Sequence, residues 1–121
     1  MPISFTFDAD LKCAISTYSG VVDDAEILAH ARRLVSDAAI PDGVTSLLDF
    51  RAVTEFRVTT DCIHEVVATI QEHPRFTKGA FVADDDLVFG MSRMYQMLRE
   101  GSPVEHRVFR DLDEALAWLG L

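Results

Sequence analysis

The densest group of side chains that could do chemistry is the acidic run Asp84-Asp85-Asp86. Clustered carboxylates can bind Mg²⁺ or Ca²⁺, and a metal-dependent enzyme is one interpretation of this run. No partner motif with the spacing of a calcium-binding loop follows it, however. Because the run directly precedes a predicted helix, we favour a capping role, in which carboxylates accept hydrogen bonds from free N–H groups and suit the helix dipole.

Other chemistry-bearing residues do not form a constellation. The histidines lie on separate predicted elements, without the pair spacing of metal ligands: His30, His64, His73 and His106. Cys13 and Cys62 are predicted to be buried free thiols in a reducing cytosol. The chain contains no glycine-rich phosphate loop, no nucleophile elbow and no Cys-x-x-Cys motif. We therefore expect a non-enzymatic protein without a metal or cofactor.

Polar residues follow a strongly apolar strand, which is predicted over 44–50 and ends in a loop. Open α/β sheets bind ligands at the carboxyl ends of their parallel strands, so Asp49 and Arg51 are candidate binding residues. If the strand continues, we expect these two side chains to point to opposite sides. An ion pair or a hydrogen bond that ties the loop is the alternative to a binding role.

The predicted helix 87–99 is apolar around much of its circumference. Its predicted core stripe consists of Leu87, Met91, Met94, Tyr95 and Leu98. Phe89 and Met97 fall outside this stripe, near Arg93, and Gly90 permits close approach. These apolar side chains outside the core stripe predict a second contact, with another copy of the chain, another protein or an acyl ligand. The alternative is a broad core face.

Hydrophobic periodicity predicts the other elements. Residues 3–8 and 11–18 alternate as two strands of an antiparallel hairpin. The predicted elements that follow are a helix capped by Asp23 or Asp24, the strand 44–50, a helix from Thr59 or Thr60 to Pro74, the strand 79–83, the helix 87–99, the strand 104–109 and a helix capped by Asp111. The order β-β-α-β-α-β-α-β-α predicts an α/β fold with a mixed five-strand sheet, antiparallel at its N-terminal edge.

Length and charge limit the classes of function. A chain of 121 residues predicts a single domain over 1–121. Its net charge of −9 argues against binding to nucleic acid or to an anionic membrane surface. No apolar run reaches the roughly 20 residues of a membrane-spanning helix, and the N-terminus does not resemble a signal peptide. We expect a cytoplasmic protein.

Three segments carry a family resemblance. They are Asp49-Phe50-Arg51-Ala52-Val53-Thr54-Glu55-Phe56, then Phe89-Gly90-Met91-Ser92-Arg93-Met94-Tyr95, and then Arg107-Val108-Phe109-Arg110-Asp111 leading into Glu114-Ala115-Leu116-Ala117-Trp118-Leu119. With the element order, they resemble STAS-like domains related to bacterial anti-sigma-factor antagonists, and more closely the SpoIIAA-like group of small stand-alone bacterial proteins. That group is often compared in fold with CRAL-TRIO lipid-binding domains, and most of its members have no established function.

The chain departs from this resemblance at the phosphorylation site. Antagonists that switch partners carry Asp-Ser-Ser-Gly at the start of the helix after the third strand, where a kinase phosphorylates a serine. Here the segment is Arg57-Val58-Thr59-Thr60-Asp61. Thr59 and Thr60 are possible phosphoacceptors, since a helix N-terminus binds phosphate, but Asp61 would repel the added charge. The alternative is that Thr60 is simply the N-cap.

The resemblance implies a binding or regulatory module that contacts a protein partner. The candidate contact residues lie in the loop and helix start 49–61 and on the helix 87–99: Asp49, Arg51, Phe56, Thr59, Thr60, Phe89, Arg93 and Met97. A homodimer through the helix is one form of this hypothesis. The alternative is a small carrier of apolar ligands such as acyl chains, which would use the surface phenylalanines and methionines and the region of Phe5, Phe7, Phe50 and Phe56.

Overall fold

The computed structural model describes residues 2–71 and 75–121, with the side chain of Gln71 left out. The elements are β1 (Ile3–Asp8), β2 (Cys13–Asp23), α1 (Asp24–Ser36), β3 (Val44–Arg57), α2 (Thr60–Gln71), β4 (Phe76–Val82), α3 (Asp86–Leu98), β5 (Glu105–Phe109) and α4 (Leu112–Leu119). The described residues thus have the predicted element order. The expectations for His73 and for a helix end at Pro74 lie outside the described residues.

The sheet follows the chain, in the order β1-β2-β3-β4-β5. β1 pairs with β2 antiparallel, and the other three pairings are parallel. The predicted α/β class with a mixed sheet is confirmed. Because right-handed crossovers that step in one direction place their helices on one side of a sheet, α1, α2 and α3 share a face. We call this the inner face.

The two faces of the sheet have separate cores. Tyr18, Phe50 and Phe81 lie in the cluster that packs the inner face against α1, α2 and α3. On the opposite face, Leu47 and Val82 belong to the cluster that also contains residues of α4. The cavity described below lies on the inner face.

β3 does not end where the sequence predicted. It continues seven residues past Phe50 to Arg57, and pairs with β2 as far as Asp23. Its last partner residue on β4 is opposite Asp49, so β2 and β3 extend beyond the rest of the sheet. Val53 and Phe56 pack against the inner core cluster, which makes a strand more favourable than the predicted loop.

The buried face of α3 also differs from the predicted stripe. Leu87 is 58% exposed and Leu98 is 38% exposed, although both were assigned to the core. The buried side chains on the inner side of α3 are those of Val88, Ser92 and Tyr95, and Arg99, which directly follows the helix, is also buried. The buried stripe is displaced by about one residue position, or roughly 100° around the helix. Of the predicted stripe, Tyr95 is buried and Met91 and Met94 pack against the inner core cluster. Selection of the most apolar face missed Ser92 and Arg99 because both are polar.

Candidate ligand cavity

A cavity of about 90 Å³ lies between the inner face of the sheet and the three helices that cover it. Aromatic rings form much of its sheet side. The ring of Phe50 stacks on Tyr18 with centroids 4.1 Å apart and lies parallel to Phe81 at 6.3 Å. Ile63 and Val66 of α2 close the helical side. A cavity with such walls favours a mostly apolar occupant.

Arg99 brings a positive charge into the wall of this cavity. It follows α3 directly and is held by backbone hydrogen bonds from its N–H to the carbonyls of Tyr95 and Gln96. The residue is only 4% exposed. Its Nη2 donates to the Ser102 hydroxyl at 3.2 Å, while Nε and Nη1 have no hydrogen-bond partner among the described residues. The guanidinium therefore has unused donors inside the protein.

His106 lies on β5 close to this group. Its ring meets Tyr95 edge-on, with centroids 5.2 Å apart. Burial, followed by the charge of Arg99, lowers the pKa of His106 to about 4 against a smaller, opposing effect of the Val104 backbone, so the ring is neutral at pH 7. Its Nδ1 is buried and has no hydrogen-bond partner among the described residues. Gly79 leaves room for the ring, because a Cβ there would lie 2.9 Å from Cδ2 of His106.

A second polar pair lies across the layer, between β2 and α1. Nε2 of His30 and the hydroxyl of Ser16 are 2.7 Å apart, and both residues are buried. Burial is the main cause that lowers the pKa of His30 to about 4, and the charge of Arg33 acts in the same direction. Unlike the donors of Arg99, these two groups form a hydrogen bond with each other. It joins α1 to the sheet, and His30 of this pair adds a polar group to the cavity wall.

Asp49 and Arg51 form an intramolecular ion pair. Arg51 donates from Nε to Oδ1 at 3.0 Å and from Nη2 to Oδ2 at 2.9 Å. The expectation that the two side chains point to opposite sides was wrong, because residues two apart on a continuous strand share a face. Desolvation alone would raise the pKa of Asp49, but the hydrogen bonds and charge of Arg51 lower it. Asp49 and Arg51 therefore form the ion pair that the sequence suggested as the alternative to a binding role.

Thr59, and not Thr60, caps α2. Its hydroxyl accepts from the backbone N–H of Cys62 at 3.2 Å and donates to Oδ2 of Asp24 at 2.8 Å. The backbone N–H of Thr59 donates to the other carboxylate oxygen. A phosphate on Thr59 would replace this network and lie against Asp24. Both threonines are exposed, and Thr60 is the first residue of α2. Phosphorylation at either threonine stays a prediction.

The remaining predicted contact residues lie apart from one another. Phe56 is half-buried and lines the cavity, edge-on to Phe50. Phe89 is also half-buried, with the Arg110 guanidinium 4.2 Å from its ring centre. Arg93 and Met97 are exposed on the outer side of α3. Of the predicted contact residues, Phe56 is the one that lines the cavity formed by the described residues.

The acidic run has the capping role that we favoured. Oδ2 of Asp85 accepts from the backbone N–H groups of Leu87 and Val88, and Asp86 forms an ion pair with Arg110 at 2.8 Å. Across residues 2–71 and 75–121, no group of three or more histidine, cysteine or acidic side chains is placed to hold a metal ion. Both cysteines are buried free thiols, as predicted.

Comparison with known proteins gives the family. A family model described as SpoIIAA-like matches residues 14–120, which is most of the chain. This chain belongs to the SpoIIAA-like family. The resemblance seen in the sequence is confirmed. The search of curated proteins gives no match.

Two solved structures place this SpoIIAA-like chain among known folds. One is an uncharacterised protein with a SpoIIAA-like fold from Shewanella loihica PV-4, with 17% identity and a TM-score of 0.61; the alignment covers 97% of this chain and 91% of that one. The other is an anti-sigma factor antagonist from Mycobacterium paratuberculosis, with 14% identity and a TM-score of 0.54, covering 98% and 95%. At these identities the likeness shows the fold. None of the described helices has the length and apolar character needed to cross a membrane.

Sequence reasoning missed Arg99, Ser92 and His106 as cavity residues. The sequence placed Arg99 at the end of the predicted helix 87–99 and His106 in the predicted strand 104–109, and neither was a candidate site residue. A signal does exist: Val88, Ser92, Tyr95 and Arg99 recur at intervals of four, three and four residues. This is the spacing of one helix face. The pattern does not favour burial of this face, because charged residues are uncommon in protein cores.

Proposed function

We propose that this SpoIIAA-like protein is a non-enzymatic binding module that takes a small, mostly apolar molecule into the cavity between its sheet and its helices. The observation that supports this function is the apolar space of about 90 Å³ under α1, α2 and α3. Close packing is the rule in protein interiors, so a space that exceeds one water several-fold is a candidate binding site.

The size of the cavity limits its occupant. An engineered apolar cavity of about 150 Å³ binds benzene, so this smaller cavity suits a molecule with a body of a few carbon atoms. A long acyl chain would fit only if the helices moved away from the sheet. If the protein is a carrier of apolar ligands, this structure therefore favours ligands with short chains.

A filling substitution tests this function. Ala31 is buried on α1 and lines the cavity, whereas Ala29 is exposed on the same helix. We expect 1-butanol to shift the ¹H–¹⁵N amide signals of cavity residues in the unmutated protein. Ala31→Leu should abolish these shifts by occupying the space, and Ala29→Leu should leave them unchanged. Absence of any cavity shift at high millimolar butanol, or equal responses in the two variants, would contradict the proposal.

A second candidate function is self-association through the outer side of α3. Leu87 is 58% exposed and Met97 is 57% exposed, and both lie on that side of the helix together with Gly90. If two α3 helices pack antiparallel about a two-fold axis, Leu87 of one copy meets Met97 of the other, and Gly90 lies close to the axis, opposite Met94 of the other copy. Such a contact is isologous, as most homodimer contacts are.

Charge placed on this surface tests the dimer. We expect the unmutated protein to have the mass of a dimer in size-exclusion chromatography with light scattering, and Leu87→Asp with Met97→Asp to make it monomeric with an unchanged far-UV CD spectrum. Phe89 is not a suitable target, since it is half-buried against Arg110. The matched control is Ala117→Asp, an exposed position on α4, which should leave the mass unaltered. A monomeric unmutated protein at 100 µM (about tenfold above the Kd of a weak dimer of about 10 µM) would exclude this function.

A further inference from the structure

Arg99 is a buried cation without a counter-charge among the described residues. The ion pairs of the described residues involve other arginines, and the single side-chain partner of Arg99 is the uncharged Ser102 hydroxyl. Burial of a charge is costly unless the charge is paired and hydrogen-bonded. Fully buried arginines in folded proteins therefore normally have an anion beside them.

The backbone around Arg99 offsets part of this cost. The residue lies at the C-terminal end of α3, where the partial negative charge of the helix dipole favours a cation. The dipole acts on the charge but accepts no hydrogen bond from Nε or Nη1, which stay without partners among the described residues. Arg99 itself lines the cavity, so an acceptor bound in the cavity would lie next to the residue that carries these donors.

The surroundings of these donors favour one kind of anion. His106 presents a second buried nitrogen, Nδ1, without a partner among the described residues, beside the same cavity. A neutral imidazole can donate one hydrogen bond. The rest of the wall is mostly aromatic and aliphatic, and its other polar residues are the uncharged His30, Ser46 and Ser92. Such a wall would desolvate a doubly charged phosphate without compensating its charge. A single carboxylate on an apolar body matches both parts of the cavity.

We propose that the cavity selects short-chain carboxylic acids, with the carboxylate accepting hydrogen bonds from Arg99 and His106 and the alkyl chain lying along the aromatic rings of the sheet. This inference rests on the proposed function and adds the chemical class of the ligand. It makes Arg99 the residue that distinguishes an acid from a neutral molecule of the same shape.

Isosteric probes test the inference. Butyrate and butyramide have the same heavy-atom shape and differ in charge, and butylamine carries the opposite charge. We expect titrations followed by amide chemical shifts to show that butyrate binds at least about tenfold more tightly than butyramide, a ratio that about one charge-assisted hydrogen bond supplies. Butylamine should not bind. In the unmutated protein, butyrate should also shift the side-chain Nε–Hε signal of Arg99.

Two variants assign the preference to a residue. Arg99→Met should reduce the butyrate-to-butyramide ratio to about one, while Arg93→Met, which removes the same charge from the exposed side of the same helix, should leave the ratio unchanged. Where Arg99→Met does not fold, the Nε–Hε signal of the unmutated protein decides alone.

The failures of the two proposals are distinguishable. Equal binding of butyrate and butyramide, or a butyrate complex in which the Arg99 signal does not move, overturns the carboxylate inference and leaves the cavity function intact. If butyrate, butyramide and butanol all fail to bind, both proposals are wrong. A preference that grows from butyrate to octanoate would overturn the size limit, because the longer chains need a larger cavity.

Discussion

At the scale of single residues, the carboxylate inference depends on Arg99, which has unpaired donors in a protein interior. Unmade hydrogen bonds of this kind destabilise a fold, and their retention at a cavity is typical of a site whose partner is a ligand. Asp49 and Arg51, which the sequence made more conspicuous, instead satisfy each other.

Removal of the Arg99 charge should stabilise the protein without ligand. A buried donor without a partner costs about 1–3 kcal/mol, and methionine has nearly the volume of the arginine stem. We expect Arg99→Met to raise the free energy of unfolding in urea by about 1–3 kcal/mol. Arg93→Met, at an exposed position, should change it by less than about 0.5 kcal/mol. A loss of stability in Arg99→Met would contradict this prediction, and would mean that the hydrogen bond to Ser102 and the helix dipole outweigh the cost of the unpaired donors.

At the scale of secondary-structure elements, the start of α2 shows how a small shift changes the role of a residue. The sequence offered Thr60 as the cap, and the structure uses Thr59, whose hydroxyl and N–H both reach the Asp24 carboxylate. Desolvation would raise the pKa of Asp24, but these hydrogen bonds lower it. The network ties the beginning of α1 to the beginning of α2, and so holds two helices of the cavity roof in register.

Adjacent threonines make this element testable. Loss of a threonine N-cap costs about 0.5–2 kcal/mol, and Thr59→Ala also removes a hydrogen bond to Asp24. We expect Thr59→Ala to lower the free energy of unfolding by about 1–2 kcal/mol and to lower Tm by several degrees in calorimetry. Thr60→Ala should be close to neutral, since Thr60 is exposed in the first turn. Equal effects of the two substitutions would show that the capping assignment is wrong.

At the scale of the whole molecule, the stability of the layer between sheet and helices should depend on pH. His30 and His106 lie in this layer on different elements, and both have pKa values lowered to about 4. Phe5, Tyr18, Ser16 and Arg33 face His30. Between the lowered native pKa and the ordinary value of about 6.5, the unfolded chain binds more protons than the native protein, so the unfolding free energy falls as pH falls.

We expect this loss between about pH 6.5 and pH 4, up to about 3 kcal/mol for each histidine. Urea denaturation at closely spaced pH values measures it. His30→Gln, which can keep a hydrogen bond to Ser16, and His106→Gln should each flatten the slope in that range. His64→Gln, at an exposed position of α2, is the control and should leave the slope as it was. A flat profile in the unmutated protein would show that both rings are accessible to protons in the native state.

The sequence by itself determined the order of the elements, the α/β class, the SpoIIAA-like resemblance and the capping role of Asp85 and Asp111. These depend on local signals: alternation over two residues, recurrence near 3.6, and side chains that bond to the nearest backbone N–H groups. Tertiary structure decided the length of β3, because its second half is a strand only where β2 lies beside it.

Tertiary structure also decided which side of α3 is buried and where the cavity lies. A helix rotates to suit everything that it packs against, and here that includes an interior space with a charge in its wall. The hydrophobicity pattern of the sequence does not predict a cavity, because the cavity is lined by residues from four strands and three helices that are distant in sequence. The carboxylate hypothesis therefore came from the unpaired nitrogens of Arg99 and His106, which are recognisable as unpaired only in three dimensions.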